Sequence, residues 1–220
     1  MKERMPYKTV FRNGTAETVE KKSRFIAEIY HVETEEEINS ILEATRKKYW
    51  DASHSCYAYI LGKRQELVRC SDAGEPGGTA GRPMLDVLQG AGLCNILAVV
   101  TRYFGGTLLG TGGLVRAYSE AVRAGLRNTA VVEKVPAVRL RIGTDYTGVG
   151  KILYLLNQEN LDVLESEYTD RVELTAAVPD TQRSRLEKLL TEATSGQAVL
   201  TELESLYMGK ADGQTVLFED

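Results

Sequence analysis

Eleven of the chain's 20 glycines lie between residues 71 and 119, at positions 74, 77, 78, 81, 90, 92, 105, 106, 110, 112 and 113. Inside regular structure glycine costs roughly 0.5–1 kcal/mol relative to alanine, so such density needs a reason. The available reasons are positive φ, tight turns, or a backbone that another group approaches closely. Arg82, Arg102 and Arg116 sit among these glycines. Charged side chains beside such turns suggest a surface that meets a partner.

The remaining composition sets bounds. With 220 residues, 43% hydrophobic and 26% charged, the chain reads as a soluble globular protein with room for two domains. Its apolar runs fall short of the ~18 residues of a membrane span, and MKERMPYKTVFRNG lacks the apolar core of a signal peptide. Cys56, Cys70 and Cys94 are an odd set without zinc or CxxC spacing, as expected of reduced thiols in the cytoplasm. The net charge of −4 hides an asymmetry: residues 1–135 carry 19 Lys/Arg against 16 Asp/Glu, and residues 136–220 carry 8 against 15. Nucleic-acid affinity rests on neutralising phosphates, so any RNA contact falls to the first half.

Pattern places the elements. Tyr7–Val19 and Ser23–His31 read as strands. Thr34 with Glu37 reads as a capping box that opens a helix with an Ile38, Ile41, Leu42 stripe. Ser53–Leu61 is a tyrosine-rich strand with a short partner at Leu67–Ser71. Pro83 starts a helix that buries Met84, Val87, Leu88 and Ala91. Cys94–Val100 (CNILAVV) reads as a strand covered on both faces. Leu114, Tyr118, Val122 and Leu126 define a further helix, with Arg116 and Glu120 as an i,i+4 pair. Beyond Val135–Pro136 the order is strand (Ala137–Ile142), helix (Tyr146–Asn157), strand (Leu161–Tyr168), strand (Arg171–Val178), helix (Asp180–Glu192) and strand (Ala198–Leu206). That βαββαβ order is ferredoxin-like, with Asp180 as an N-cap. Val216, Leu217 and Phe218 close a tail that either docks on the body or adds an edge strand. The fold class is α+β, with domains at 1–134 and 135–208 and a tail at 209–220.

The candidate chemistry centres on the glycine block. Thr111–Gly112–Gly113 precedes an apolar-periodic helix and Thr79–Ala80–Gly81 precedes the Pro83 helix, both suited to presenting backbone N–H groups to an anion. If Arg82, Arg102 and Arg116 gather at the ends of their elements, they form a cationic concavity for phosphate or carboxylate. The competing account is turn geometry and close helix packing, since no GxxxxGK[ST] or strand-to-helix GxGxxG is present. Ser71, Asp72 and Glu75 read as ion-paired loop supports in preference to catalytic acids or metal ligands. His54 and Cys56 share a strand face as a thiolate pair would, but Ala58 and Ile60 continue that face and favour packing. Tyr57, Tyr59, Tyr103 and Phe104 are read as sheet tyrosines and aromatics rather than base-stacking groups. With only two histidines a His-rich metal site is not expected, and no cofactor is implied.

SDAGEPGGTAGRPMLDVLQ followed by NILAVVTRYFGGTLLGTGGLVRAYSEAV, together with SRFIAEIY and SHSCYAYILG, resembles the signature of the IMPACT family over residues 20–130. The second half is similar to the smaller domain of its bacterial, YigZ/YvyE-like branch. The resemblance implies a first domain like ribosomal protein S5 domain 2 and a ferredoxin-like second domain akin to the last domain of elongation factor G. Eukaryotic members regulate translation through protein contacts upstream of a stress-responsive kinase. The resemblance brings no catalytic residue set.

The expectation is a non-catalytic, translation-associated or regulatory protein in the cytoplasm, without membrane contact. Its first domain would bind RNA, the ribosome or a translation factor through Arg82, Arg102 and Arg116. Glu75, Thr107 and the backbone at Gly105, Gly106, Gly112 and Gly113 would support them. The acidic domain would meet protein. The alternative is an enzyme acting on a phosphorylated or carboxylated small molecule at the same site, with Asp72 or Glu75 as general base.

Overall fold

The structure is a computed structural model in which residues 4–211 and 213–219 are described. These residues divide into two compact units, one of residues 7–132 and one of residues 4–6 with 133–219. The first carries β1 (Tyr7–Arg12), β2 (Gly14–Glu20), β3 (Ser23–His31), α1 (Glu35–Lys48), β4 (His54–Leu61), β5 (Leu67–Ser71), α2 (Gly81–Gly90), β6 (Ile96–Tyr103) and α3 (Gly110–Arg127). Strand β7 (Ala130–Thr144) begins in the first unit and continues into the second. It is followed by α4 (Val149–Gln158), β8 (Val163–Tyr168), β9 (Val172–Pro179), α5 (Asp180–Ala193), β10 (Val199–Ala211) and β11 (Gln214–Phe218).

The first unit is built on an antiparallel sheet in the order β2-β3-β6-β4-β5. Helices cover both faces, so the central β6 is buried from Ile96 to Arg102 and its sequence is apolar without alternation. Ile96, Ala98 and Val100 pack with Met84 and Leu88 of α2 and with Leu114, Tyr118 and Val122 of α3. Leu97 and Val99 face the other way, onto Ile38 and Leu42 of α1. Side chains alternate along a strand, so Arg102 continues the row of Ile96, Ala98 and Val100 into the α2–α3 side. That parity decides what Arg102 can do.

Several boundaries differ from the sequence reading, each for a local reason. The first strand-like stretch is two strands, separated at Asn13, whose side chain accepts the His31 N–H at 3.1 Å. Lys21 and Lys22 form the two-residue turn between β2 and β3, both with left-handed φ (45° and 67°), as primed hairpin turns require. In α1 the Thr34 hydroxyl caps Glu37 N at 3.2 Å, while the Glu37 carboxylate reaches Glu33 N at 2.7 Å, one residue before the capping-box position. Helix α3 begins at Gly110, so Gly112 and Gly113 lie within its first turn rather than ahead of it. Glu120 pairs with Arg127 (2.7 Å) and Arg123 (3.9 Å) rather than with Arg116. Asp180 is the first residue of α5, not its cap, and its carboxylate binds Arg4 at 2.8 Å.

In the second unit the order β7-α4-β8-β9-α5-β10 folds into an antiparallel sheet arranged β11-β10-β7-β9-β8. Val138, Leu140 and Ile142 of β7 and Leu174, Ala176 and Val178 of β9 meet Ile152, Leu156, Leu186 and Leu190 of the two helices. The alternate residues of β7 face away from that core, where Arg139 pairs with Glu204 (3.2 Å) and Arg141 with Glu173 (3.5 Å). The stretch read from sequence as a tail supplies the end of β10 and the edge strand β11.

Helix α3 lies against β3 at Gly125, where an added Cβ would sit 2.8 Å from Ile29 Cγ1 and 3.3 Å from Ala27 Cβ. Gly125→Ala is expected to destabilise the protein by about 1–3 kcal/mol through overpacking. Urea unfolding would read this as a lower midpoint at unchanged m-value.

Candidate functional site

The connection from β5 to α2 is folded around one carboxylate. Asp72 Oδ1 accepts the backbone N–H of Ala80 (2.9 Å) and Gly81 (2.8 Å), and Oδ2 accepts that of Gly78 (2.8 Å). Helix α2 has no side-chain cap of its own, so Asp72 supplies the acceptor for its first amides and the anion its dipole favours. Burial pulls the Asp72 pKa upward, but the three N–H donors outweigh it and hold the carboxyl below its usual value. The Asp72 carbonyl accepts Glu75 N and the Cys56 thiol, both at 2.9 Å, and Ala73 O lies 3.0 Å from His54 Nδ1.

This fold turns Glu75 inward. It is 8% exposed, and its Oε1 accepts Arg102 Nη1 at 2.6 Å and the Tyr118 hydroxyl at 2.8 Å. Arg102 is 6% exposed and stacks its guanidinium over Phe25 (5.5 Å) and Phe104 (5.6 Å). Arg102 Nη2 lies 3.5 Å from Ser23 Oγ, which also accepts Gly105 N at 3.1 Å. Arg102 Nε is buried without an acceptor among the described residues. One ion pair therefore ties the 72–80 loop to β6, and Ser23 ties the following loop to the same place. Gly105 is needed there because a Cβ would collide with the backbone of Lys22 and Ser23.

The arginines expected to share a surface concavity are used in three ways. Arg102 is buried because strand parity points it inward, and it neutralises Glu75. Arg82 is exposed in the first turn of α2 and pairs with Asp86 at 2.8 Å. Arg116 is exposed in the second turn of α3, has no hydrogen-bond or ion-pair partner among the described residues, and lines a cleft of about 240 Å³ with Thr18, Glu20 and Gly113. Thr107, Gly106 and Gly112 are exposed, while Gly105 and Gly113 are half-buried. Gly106 (φ 81°) and Gly110 (φ 70°) take conformations that favour glycine. Helix α3 has no side-chain cap, which leaves its glycine-rich first turn open to solvent.

The groups that could have been catalytic are occupied. Burial pushes the Cys56 thiol up to about 12, which leaves no thiolate at neutral pH. Burial likewise raises Tyr118 far above its ordinary value. Among the described residues no three His, Cys, Asp or Glu side chains lie close enough to hold a metal. Sequence reasoning did not single out Trp50, which is 83% exposed beyond the end of α1. Nor did it place Arg24, whose guanidinium lies 5.4 Å from the Tyr103 ring. The register Arg24↔Tyr103 makes that pair, and a sequence without strand pairing does not show it.

A mixed α/β protein of two units, whose first unit carries two glycine-rich loops pinned from beneath by a buried ion pair, is thus the class the geometry defines. The Impact N-terminal domain matches residues 21–126, and a domain of unknown function, DUF1949, matches residues 142–197. The chain is 40% identical over 205 residues to IMPACT family member YvyE of Bacillus subtilis, covering 93% of this chain and 94% of that one. It is 37% identical over 186 residues to IMPACT family member YigZ of Escherichia coli, covering 84% and 91%. It is also 40% identical over 97 residues to the Protein IMPACT homolog of Dictyostelium discoideum, covering 41% of this chain and 27% of that protein. A solved structure described as "Crystal structure of an hypothetical protein" matches with a TM-score of 0.59 at 34% identity, over 92% of this chain and 99% of that one. The chain belongs to the IMPACT family.

Glu75→Ala would strand a buried guanidinium and is expected to cost about 3–5 kcal/mol of stability. Tyr118→Phe removes one hydrogen bond to a charged group and should cost about 1.5–3 kcal/mol. Both are read by chemical denaturation. The depressed Asp72 contributes stability that is fully present above its unfolded pKa of about 4 and is lost as pH falls through the folded value. The stability gap between the wild type and Asp72→Asn should therefore be wide at neutral pH and narrow in acid.

Proposed function

We propose that this protein is a non-catalytic, translation-associated or regulatory binding protein. Its first unit contacts RNA, the ribosome or a translation factor through the glycine-rich loops and the exposed arginines, and its acidic second unit contacts protein. The observation that carries this reading is the open first turn of α3, where Gly110, Thr111 and Gly112 are exposed and Arg116, one turn on, makes no ion pair among the described residues although Glu20 and Glu120 line the same cleft. Arg116 and Arg82 are the contact groups, with Thr107 and the backbone at Gly106, Gly112 and Gly113. Arg102, Glu75 and Gly105 hold that surface in shape.

Two finer assignments belong to the same proposal. The first domain, read from sequence as residues 1–134 and compact over 7–132, is of the ribosomal protein S5 domain 2-like type. The second, over residues 135–208, is ferredoxin-like and akin to the last domain of elongation factor G. The βαββαβ order and the neighbour order β10-β7-β9-β8 support the second assignment. Both domain types occur in translation machinery, which makes the functional reading one of analogy joined to family membership. No helix among the described residues is long and apolar enough to cross a membrane. The enzyme alternative is weaker, because Asp72 and Glu75 are both committed to holding the loop.

Co-sedimentation with ribosomes across stepped salt tests the reading, with wild type beside Arg82→Ala/Arg116→Ala. Binding should weaken as salt rises, and the double variant should flatten the log–log salt slope by about 2. Absence of binding at low salt, with both proteins folded, would overturn it.

A further inference from the structure

One end of the first sheet gathers exposed aromatic and unpaired basic side chains that the proposed contact surface does not use. The turn between β2 and β3 presents Lys21 and Lys22, neither with an ion-pair partner among the described residues. Its backbone packs against Gly105, the neighbour of Phe104, which is 48% exposed. Phe104 N donates to Ser53 Oγ at 3.2 Å and the Tyr103 hydroxyl donates to Asp51 at 2.9 Å. These bonds fix the segment after α1 beside the end of β6, and that segment carries Trp50, 83% exposed. Lys47, in the last turn of α1, adds a further cation without a described partner. The nearby carboxylates are Glu20 and Asp51, and Asp51 is engaged by Tyr103.

A tryptophan left this far in water forgoes its large burial energy, and a cation cluster beside it is a poor match for an apolar protein face. Aromatic rings interleaved with lysines match a different ligand. Base faces stack on such rings with little dependence on sequence, and the lysines neutralise the phosphates between them. In a duplex the base faces are already covered, so the ligand has to be single-stranded. We infer that this rim binds single-stranded RNA, with bases on Trp50 and Phe104 and phosphates against Lys21, Lys22 and Lys47. The inference rests on the translation-associated reading for the choice of RNA, and it places the contact at a different set of side chains from Arg82 and Arg116.

Trp50 is the chain's single tryptophan, so its fluorescence reports the rim directly. An unstructured CU-repeat RNA of about 12 nucleotides, within the span such surfaces cover, should quench that fluorescence saturably. The same RNA carrying a fluorescent label should gain anisotropy, with affinity falling as salt rises. Trp50→Ala should weaken binding about tenfold or more. Lys21→Asn/Lys22→Gly, which suits the left-handed turn and so preserves the fold, should weaken binding and lower the salt slope. Equal or tighter binding of the matching duplex would overturn the inference, as would unaltered binding by Trp50→Ala. Ribosome binding that persists without any oligonucleotide binding would overturn it while leaving the broader reading standing. Oligonucleotide binding at the rim without ribosome binding would do the reverse. Loss of ribosome binding in Trp50→Ala, with no RNA bound by the wild type, would assign the rim to a protein and overturn the RNA inference.

Discussion

A single buried ion pair organises the first unit. Glu75 and Arg102 come from a loop and from the central strand, and both are buried. Burying two charges is costly, and their attraction offsets that only when the remaining polar atoms are also met. Here Tyr118 adds a second donor to Glu75, while the rings of Phe25 and Phe104 face the guanidinium. The pair therefore does more than join two residues. It sets where the β5–α2 loop can lie, and through Ser23 it sets the start of the β6–α3 loop as well. Around this pair Gly81 and Gly105 leave no room for a Cβ, while Gly74, Gly78, Gly106 and Gly110 take left-handed φ that favours glycine.

Much of the architecture was legible because its causes are local. CNILAVV announced a strand covered on both faces, and the βαββαβ order of the second half followed from alternation, helical stripes and turn residues. The elements themselves appear where those signals lie, with boundaries moved by a few residues. What was not legible depends on pairing. Arg102 looked like a surface cation because it follows an apolar run and precedes a glycine loop. Its parity with Ile96, Ala98 and Val100 sends it inward, and that consequence is readable only once α2 and α3 are known to cover that face. The sequence reading took Asp72 and Glu75 as ion-paired loop supports and His54 and Cys56 as strand packing; their common target, the one loop, came from the fold. The α3 start moved for another reason: glycines disfavoured in helix interiors are tolerated in a first turn whose amides lack partners anyway.

The two units differ in the way they treat charge. In the first, the carboxylates of Asp72, Glu75 and Glu28 are drawn into the fold, with Glu28 held by Lys48 at 2.6 Å and Tyr49 at 3.3 Å. Apart from Arg102, lysines and arginines such as Lys48, Arg82 and Arg116 are left outside. In the second, the sheet face away from the helices keeps Glu173 and Glu204 in water beside Arg139 and Arg141. The modest overall charge thus conceals a first unit presenting cations and a second presenting anions.

Arg4 adds a consequence for dissecting the chain. It donates to the carbonyls of Ala137 (3.2 Å) and Leu206 (3.1 Å) and pairs with Asp180, so residues 4–6 belong with 133–219 although 126 residues separate the two segments. The first unit is therefore an insertion within the second as far as covalent connection is concerned. Cutting at Val132 would yield a C-terminal fragment lacking the strap across β7 and β10. A faithful isolated second unit has to splice the residues around Arg4 onto Glu133 through a linker.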